Sequence, residues 1–89
     1  MTWRIEFAQS AETALGKLDR QVARRILRFL HERIAPIEDP RSIGAPLRGP
    51  ELERFWKYRV GDYQAICEIH DNRLVVVVVG VGHRRAVYR

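Results

Sequence analysis

The chain has 89 residues, which allows one domain with a modest core, because short chains bury a smaller share of their surface. Its hydrophobic fraction of 46% and charged fraction of 30% are typical of a folded protein and exclude a disordered tail. The net charge of +5 favours polyanionic partners, and residues 41–89 carry 9 basic and 5 acidic side chains, against 7 and 6 in residues 1–40. We therefore expect a single domain over residues 1–89.

The sequence indicates neither secretion nor membrane insertion. The single cysteine, Cys67, cannot form an internal disulfide bond. Residues 1–6 alternate polar and apolar side chains instead of forming the apolar run of a signal peptide. The longest apolar run, residues 74–79, is far shorter than the roughly 20 residues that span a bilayer. We expect a cytoplasmic protein with no membrane partner.

The first half of the chain predicts one strand and two helices. Residues 2–7 alternate with the period of a half-buried strand. Ser10 is placed to act as the N-cap of a short helix over about residues 11–18, and Asp19 can cap a longer helix over about residues 20–35. The longer helix has an apolar stripe at helical spacing, formed by Val22, Ile26, Phe29, Leu30 and Ile34.

The second half predicts a loop followed by three strands. Residues 36–50 contain several prolines and glycines and are typical of a loop. Strands are expected over residues 55–60, 63–69 and 74–81, and their short polar connections favour antiparallel hairpins. The expected fold class is α+β: an N-terminal strand, a two-helix hairpin and then an antiparallel β-meander. The helices can cover one face of this sheet and leave the other partly open.

Basic residues on the strands are the candidates for chemistry. Lys57 and Arg59 share one face of a strand because side chains alternate along it. The tail after the valine run adds His83, Arg84, Arg85 and Tyr88, with no carboxylate among them. Together they could form a concave phosphate-binding surface. Lys57 and Arg59 are equally consistent with the solvated face of a strand, and the basic tail is also consistent with a soluble chain terminus.

Cleavage of RNA without a metal needs a base for the 2′-hydroxyl, an acid for the leaving 5′-oxygen, and cations that stabilise the phosphorane. Arginine stays charged in proteins, so Lys57 or His83 are the more reasonable proton acceptors and the arginines the stabilisers. Cys67 is more typical of a core residue than of a nucleophile. The histidines show no ligand spacing, so we expect neither a metal nor another cofactor.

Several segments in order resemble the RelE family of bacterial toxins over essentially the whole chain. They are Lys17-Leu18-Asp19, Leu47-Arg48-Gly49, Trp56 to Tyr63 (WKYRVGDY) and Gly82 to Tyr88 (GHRRAVY). The resemblance implies a RelE-like fold and the toxin of a type II toxin–antitoxin pair. It also implies a metal-independent, ribosome-dependent endoribonuclease, an mRNA interferase, that cuts mRNA by attack of the 2′-hydroxyl. The implied partners are a small RelB-like antitoxin, the ribosome with its mRNA, and operator DNA for the toxin–antitoxin complex.

The resemblance also assigns the site residues. Lys57, Arg59, Arg84 and Tyr88 match the catalytic positions, and four residues are assigned supporting or RNA-binding roles: His83, Arg85, Gln64 and Arg54. The family usually has an arginine where this chain has Gln64. Loss of that cation could lower the cleavage rate by about a hundredfold or more, unless Arg85 or Arg54 compensates.

Two other functions therefore stay open. ParE-like toxins share the fold but inhibit DNA gyrase without cleaving RNA. A degenerate toxin would only bind its antitoxin and co-repress the operon.

Overall fold

The computed structural model describes residues 2–85 and contains a five-stranded mixed sheet covered on one face by helices. The strands lie in the order β1-β5-β4-β3-β2. In chain order the elements are β1 (Arg4–Phe7), α1 (Gln9–Gly16), α2 (Arg20–Phe29), β2 (Ala45–Pro46), β3 (Phe55–Val60), β4 (Tyr63–His70) and β5 (Val75–His83). The predicted α+β class, with a two-helix hairpin and a β-meander, is confirmed.

Two features of the sheet differ from the prediction. The strand β1 pairs in parallel with β5, so the sheet is mixed, whereas β3, β4 and β5 form the expected antiparallel meander. The segment predicted as a loop contains the short strand β2, in which Ala45 pairs with Lys57 and Pro46 with Trp56. Two residues that include a proline carry no alternation, so no sequence pattern indicates this strand.

The first helix begins earlier than predicted. It starts at Gln9, and Ala8 takes the N-cap position without a side-chain bond. The predicted cap, Ser10, lies inside the helix, and its hydroxyl donates a hydrogen bond of 2.7 Å to the Val79 carbonyl. The Ser10 side chain therefore binds the backbone of β5 instead of capping the helix as the sequence suggested.

The second helix begins as predicted and ends in a wider turn. The Asp19 carboxylate accepts a hydrogen bond from the Gln21 backbone N–H at 3.0 Å, which confirms the expected cap. The α-helix ends at Phe29 and continues as a π-helical turn over Leu30–Ile34. The Ala35 N–H donates to the Leu30 carbonyl, so the helical path still reaches the predicted end.

The core lies between the helices and one face of the sheet. From the predicted stripe of α2, Ile26, Leu30 and Ile34 are fully buried, and Val22 and Phe29 pack against them in part. Cys67 is also fully buried, which confirms its expected core position, and burial raises the pKa of its thiol to about 12. Within residues 2–85 no helix combines the length and apolar character needed to span a bilayer.

A β-bulge in β5 changes which residues face the core. Cys67 of β4 pairs with Val78, whereas the preceding residue, Ile66, pairs with Gly80, so Val79 is the extra residue. Val78 and Val81 consequently both pack in the core, although they lie three positions apart. The bulge places Gly80 and Gly82 on the opposite, open face beside Ile66 and Gln64.

Candidate active site

The open face of the sheet brings basic side chains from β3 together with Gln64 of β4. Tyr58 is buried in the core, so its neighbours Lys57 and Arg59 point to the other face. Arg59 pairs directly with Gln64, and Lys57 pairs with Ile66. Because paired residues of neighbouring strands share a face, these side chains form one surface.

A cavity of about 620 Å³ lies on this surface. Five of the residues singled out in the sequence meet there, and we call this set the cationic trough: Lys57, Arg59, Gln64, Arg84 and Arg85. The segment 43–45, just before and within β2, supplies the remaining wall. No carboxylate lines the cavity within the described part of the chain.

The turn between β3 and β4 holds the side chain of Arg59 and the backbone of Arg84. The Nε of Arg59 donates a hydrogen bond of 3.1 Å to the Gly61 carbonyl. The Arg84 backbone N–H donates to the Asp62 carbonyl at 3.0 Å, which holds the start of the tail against the same turn. Gly61 has a φ of 63°, a left-handed conformation that a glycine adopts without strain. The two-residue turn thus positions a cation from each side of Gln64.

The arginines of the trough are not neutralised by carboxylates. The ion pairs found among residues 2–85 involve Arg4, Arg41, Arg54, His70 and Arg73, and none of them includes Arg59, Arg84 or Arg85. The contrast is clear at Asp71, where a hydrogen bond from Arg41 holds the pKa of the carboxyl below its usual value. Clustered cations without counter-charges repel one another, so an anionic ligand would be favoured in the trough.

Two of the predicted supporting residues lie outside the trough. His83 pairs with Tyr63 and contacts the edge of its ring, on the face of the sheet that carries the helices. Its Nδ1 accepts a hydrogen bond of 3.3 Å from the Arg85 N–H. Arg54 precedes β3, and its Nε donates to Glu68 at 2.9 Å while its guanidinium lies over the Phe55 ring. Of the two cations that could replace the missing family arginine, Arg85 is at the trough and Arg54 is not.

The remaining catalytic candidate, Tyr88, falls outside the residues that the structure describes. Among the described tyrosines, Tyr58 is 1% exposed and its hydroxyl donates to the Pro40 carbonyl at 2.7 Å. Burial raises the pKa of this phenol. Its burial and its hydrogen bond to the Pro40 carbonyl make Tyr58 a core residue.

Two features of the site cannot be predicted from the sequence. Gln64 is only 5% exposed, and its Nε2 has no hydrogen-bond partner among the described residues, whereas the sequence shows only that a charge is missing. Gly44 lines the trough, and a Cβ at this position would lie 2.8 Å from the Tyr58 ring. Neither feature follows from strand alternation, which indicates the face on which a side chain lies but not its burial or its contacts with distant residues.

The described residues offer no preformed metal site, since no group of three or more His, Cys, Asp or Glu side chains is placed to hold an ion within residues 2–85. The charged and amide side chains that line the trough are those of Lys57, Arg59, Gln64, Arg84 and Arg85. A small α+β domain with such a trough on its open sheet face has the architecture of a RelE/ParE-type toxin.

Comparison with known proteins identifies the family. The family model for the ParE toxin of the type II toxin–antitoxin system parDE matches residues 5–88. Toxin RelG of Mycobacterium tuberculosis is 29% identical over 89 residues, which are 100% of this chain and 99% of that protein. The chain belongs to the ParE toxin family, within the RelE/ParE superfamily of type II toxins.

Solved structures agree with this assignment. A chain of the toxin–antitoxin complex RelBE2 from Mycobacterium tuberculosis superimposes with a TM-score of 0.85 and 27% identity, covering 94% of this chain and 93% of that chain. A mutant of the E. coli toxin RelE in the free state gives a TM-score of 0.75 and 26% identity, over 97% of this chain and 87% of that chain. The predicted RelE-like fold is thereby confirmed.

Proposed function

We propose that this toxin is an mRNA interferase, a metal-independent and ribosome-dependent endoribonuclease that is neutralised by a cognate RelB-like antitoxin. The observation that carries the proposal is the cationic trough, where Lys57, Arg59, Arg84 and Arg85 surround one cavity without a carboxylate. A phosphodiester that becomes a phosphorane gains negative charge, and preorganised cations stabilise that charge more than they stabilise the ground state.

The proposed reaction is an internal transfer at phosphorus. The 2′-oxygen of the RNA attacks the adjacent phosphorus, the bond to the 5′-oxygen breaks, and a 2′,3′-cyclic phosphate and a free 5′-hydroxyl result. We assign the neutral amine form of Lys57 to accept the 2′-hydroxyl proton, because His83 faces the other side of the sheet and the arginines stay charged. The ammonium that results then adds to the positive charge around the phosphorane. Arg59 and Arg84 stabilise the phosphorane, and Tyr88, for which the family resemblance implies a role near the reacting oxygens, is assigned to donate the proton that the leaving 5′-oxygen takes up.

The antitoxin is proposed to cover the same trough. The arginines of the trough, which form no ion pair with a carboxylate among residues 2–85, attract acidic side chains as well as phosphates. An acidic segment of the antitoxin would therefore compete with RNA. The proposal that the ribosome presents the mRNA, and that the toxin–antitoxin complex binds operator DNA, rests on the family resemblance.

The test is expression of the toxin alone, followed by primer extension on a reporter transcript. We expect growth arrest with codon-phased 5′ ends in translated mRNA. Arg84→Ala and Tyr88→Phe should each abolish these ends while antitoxin binding in a pull-down remains. Arg73→Ala is the charge-matched control, because Arg73 lies at the β4–β5 turn and pairs with Glu6. If Arg84→Ala and Tyr88→Phe both stay as toxic as this control, the trough is not the active site.

Inhibition of DNA gyrase is the second candidate, and two observations favour it. The family model that matches residues 5–88 is that of ParE toxins, and this chain lacks the arginine usual for RelE at position 64. A supercoiling assay with purified gyrase separates the two activities. Gyrase inhibition without mRNA cleavage would replace the nuclease proposal, and antitoxin binding without either activity would identify a degenerate toxin.

A further inference from the structure

The buried amide of Gln64 is chemically unusual for this chain. Of the amide and charged side chains in residues 2–85, only Gln64 is buried. Its Nε2 carries two N–H groups and has no hydrogen-bond partner among the described residues. Buried polar atoms in proteins are nearly always paired, so this donor calls for an acceptor, and the cavity that Gln64 lines is where a ligand could supply one.

The surroundings of Gln64 determine which ligand would fit. The residue lies between Arg59 on β3 and Gly82 on β5, and it lines the trough together with Arg84. The cations favour an anion, and the amide requires an acceptor oxygen. A phosphate group has both properties, because its non-bridging oxygens are charged acceptors.

A neutral donor at this position avoids the desolvation cost that a cation would carry. A guanidinium in the place of Gln64 would be largely withdrawn from water and would lie beside Arg59 and Arg84 without a carboxylate in the cavity. The amide keeps a donor there and adds no charge. Gln64 would therefore preserve the hydrogen bond to the ligand while it avoids an uncompensated buried charge.

We propose that the side-chain amide of Gln64 donates a hydrogen bond to a non-bridging oxygen of a phosphate bound in the cationic trough. Rotation about the terminal torsion of glutamine, which is broad, turns the N–H groups toward the cavity. Gln64 is thus a phosphate-binding residue, not the remnant of a lost one. That the phosphate belongs to RNA rests on the proposed function.

Gln64→Met tests the role of the donor in cleavage. Methionine matches glutamine in length and removes both N–H groups without adding a charge. We expect kcat for cleavage of a reporter mRNA in a reconstituted translation reaction to fall about a hundredfold, with KM changed less than about threefold. The midpoint of urea unfolding should stay equal or rise, since an unpaired polar group leaves the interior. Gln21→Met, on the exposed face of α2, is the matched control and should leave all three quantities unchanged.

A second measurement does not depend on cleavage. The chain has three glutamines, Gln9, Gln21 and Gln64, and one asparagine, so their side-chain amide signals can be resolved by 15N NMR. Inorganic phosphate should shift the Gln64 amide signal and leave those of Gln9 and Gln21 in place. An RNA oligonucleotide with a 2′-deoxy nucleotide at the cleavage position should produce the same selective shift.

The outcomes separate the two proposals. If the wild-type toxin does not cleave mRNA but phosphate shifts the Gln64 amide, the nuclease proposal fails and the phosphate-binding role stands. If neither phosphate nor the oligonucleotide shifts this signal, or if Gln64→Met cleaves at the wild-type rate, the role assigned to Gln64 is overturned.

Discussion

Substitution of Gly44 by alanine probes the contact between the wall of the trough and the core. Gly44 has φ and ψ of −108° and 178°, an extended conformation that alanine adopts freely, so any cost comes from the added methyl group. An ideal Cβ would lie 2.8 Å from Cε1 and 2.9 Å from Cζ of Tyr58. This ring is buried and held by its hydrogen bond to the Pro40 carbonyl, so it cannot move aside cheaply.

The expected magnitude follows from two opposing contributions. Overpacking lowers the free energy of unfolding by about 1–3 kcal/mol. The unfolded alanine variant has less conformational entropy than the unfolded wild type, which offsets about 0.4–1 kcal/mol of this loss. We expect Gly44→Ala to lower the free energy of unfolding by about 1–2 kcal/mol and the melting temperature by about 5–15 °C. Gly16→Ala is the control, because nothing lies within 4 Å of its Cβ position, and it should raise stability by about 0.4–1 kcal/mol.

Urea unfolding of the purified toxins, followed by circular dichroism, measures both variants. Equal unfolding free energies for the two alanine variants would refute the reasoning, because the predicted difference arises only from the contact with Tyr58. A decrease for Gly44→Ala together with a changed urea dependence would instead indicate a changed denatured or native state.

Two further predictions concern the core and a helix cap. Because burial raises the pKa of Cys67 from 9.0 to about 12, its stabilising contribution is fully present below pH 9 and is lost as the pH rises toward 12. Between pH 8 and 10 the wild type should lose about 1 kcal/mol more unfolding free energy than Cys67→Ala, and parallel pH profiles would contradict this. Asp19→Ala removes the acceptor of the Gln21 N–H and should cost about 1 kcal/mol in urea unfolding. An unchanged midpoint would show that water replaces this cap.

Local patterns in the sequence predict most of the fold. The alternation around Lys57 and Arg59 places β3, and the stripe containing Ile26 and Leu30 places α2 against the sheet, because one side of each element must be buried. The parallel pairing of β1 with β5 is not encoded in this way, since it joins residues about 70 positions apart. Family resemblance supplies the fold where local pattern does not.

The candidate site is predicted less completely. The positions of Lys57 and Arg59 on one face follow from strand geometry, and both line the trough. The face of the sheet on which His83 lies cannot be predicted from the sequence. The five consecutive valines show no alternation of polar and apolar residues that would reveal the bulge at Val79. The burial of Gln64 likewise depends on tertiary contacts, so the sequence shows a missing charge where the structure shows an unpaired donor.

Because of the bulge at Val79, the effect of an insertion or a deletion in β5 depends on where in the strand it falls. Deleting Val79 would leave Gly80 and Gly82 on the open face and Val81 in the core, because only the extra residue is lost. Adding one residue between Gly80 and Val81 would instead exchange the two faces of everything that follows. Homologous toxins that differ in length at this strand should therefore gain or lose residues at the bulge and keep a fixed spacing from Gly80 to Arg84.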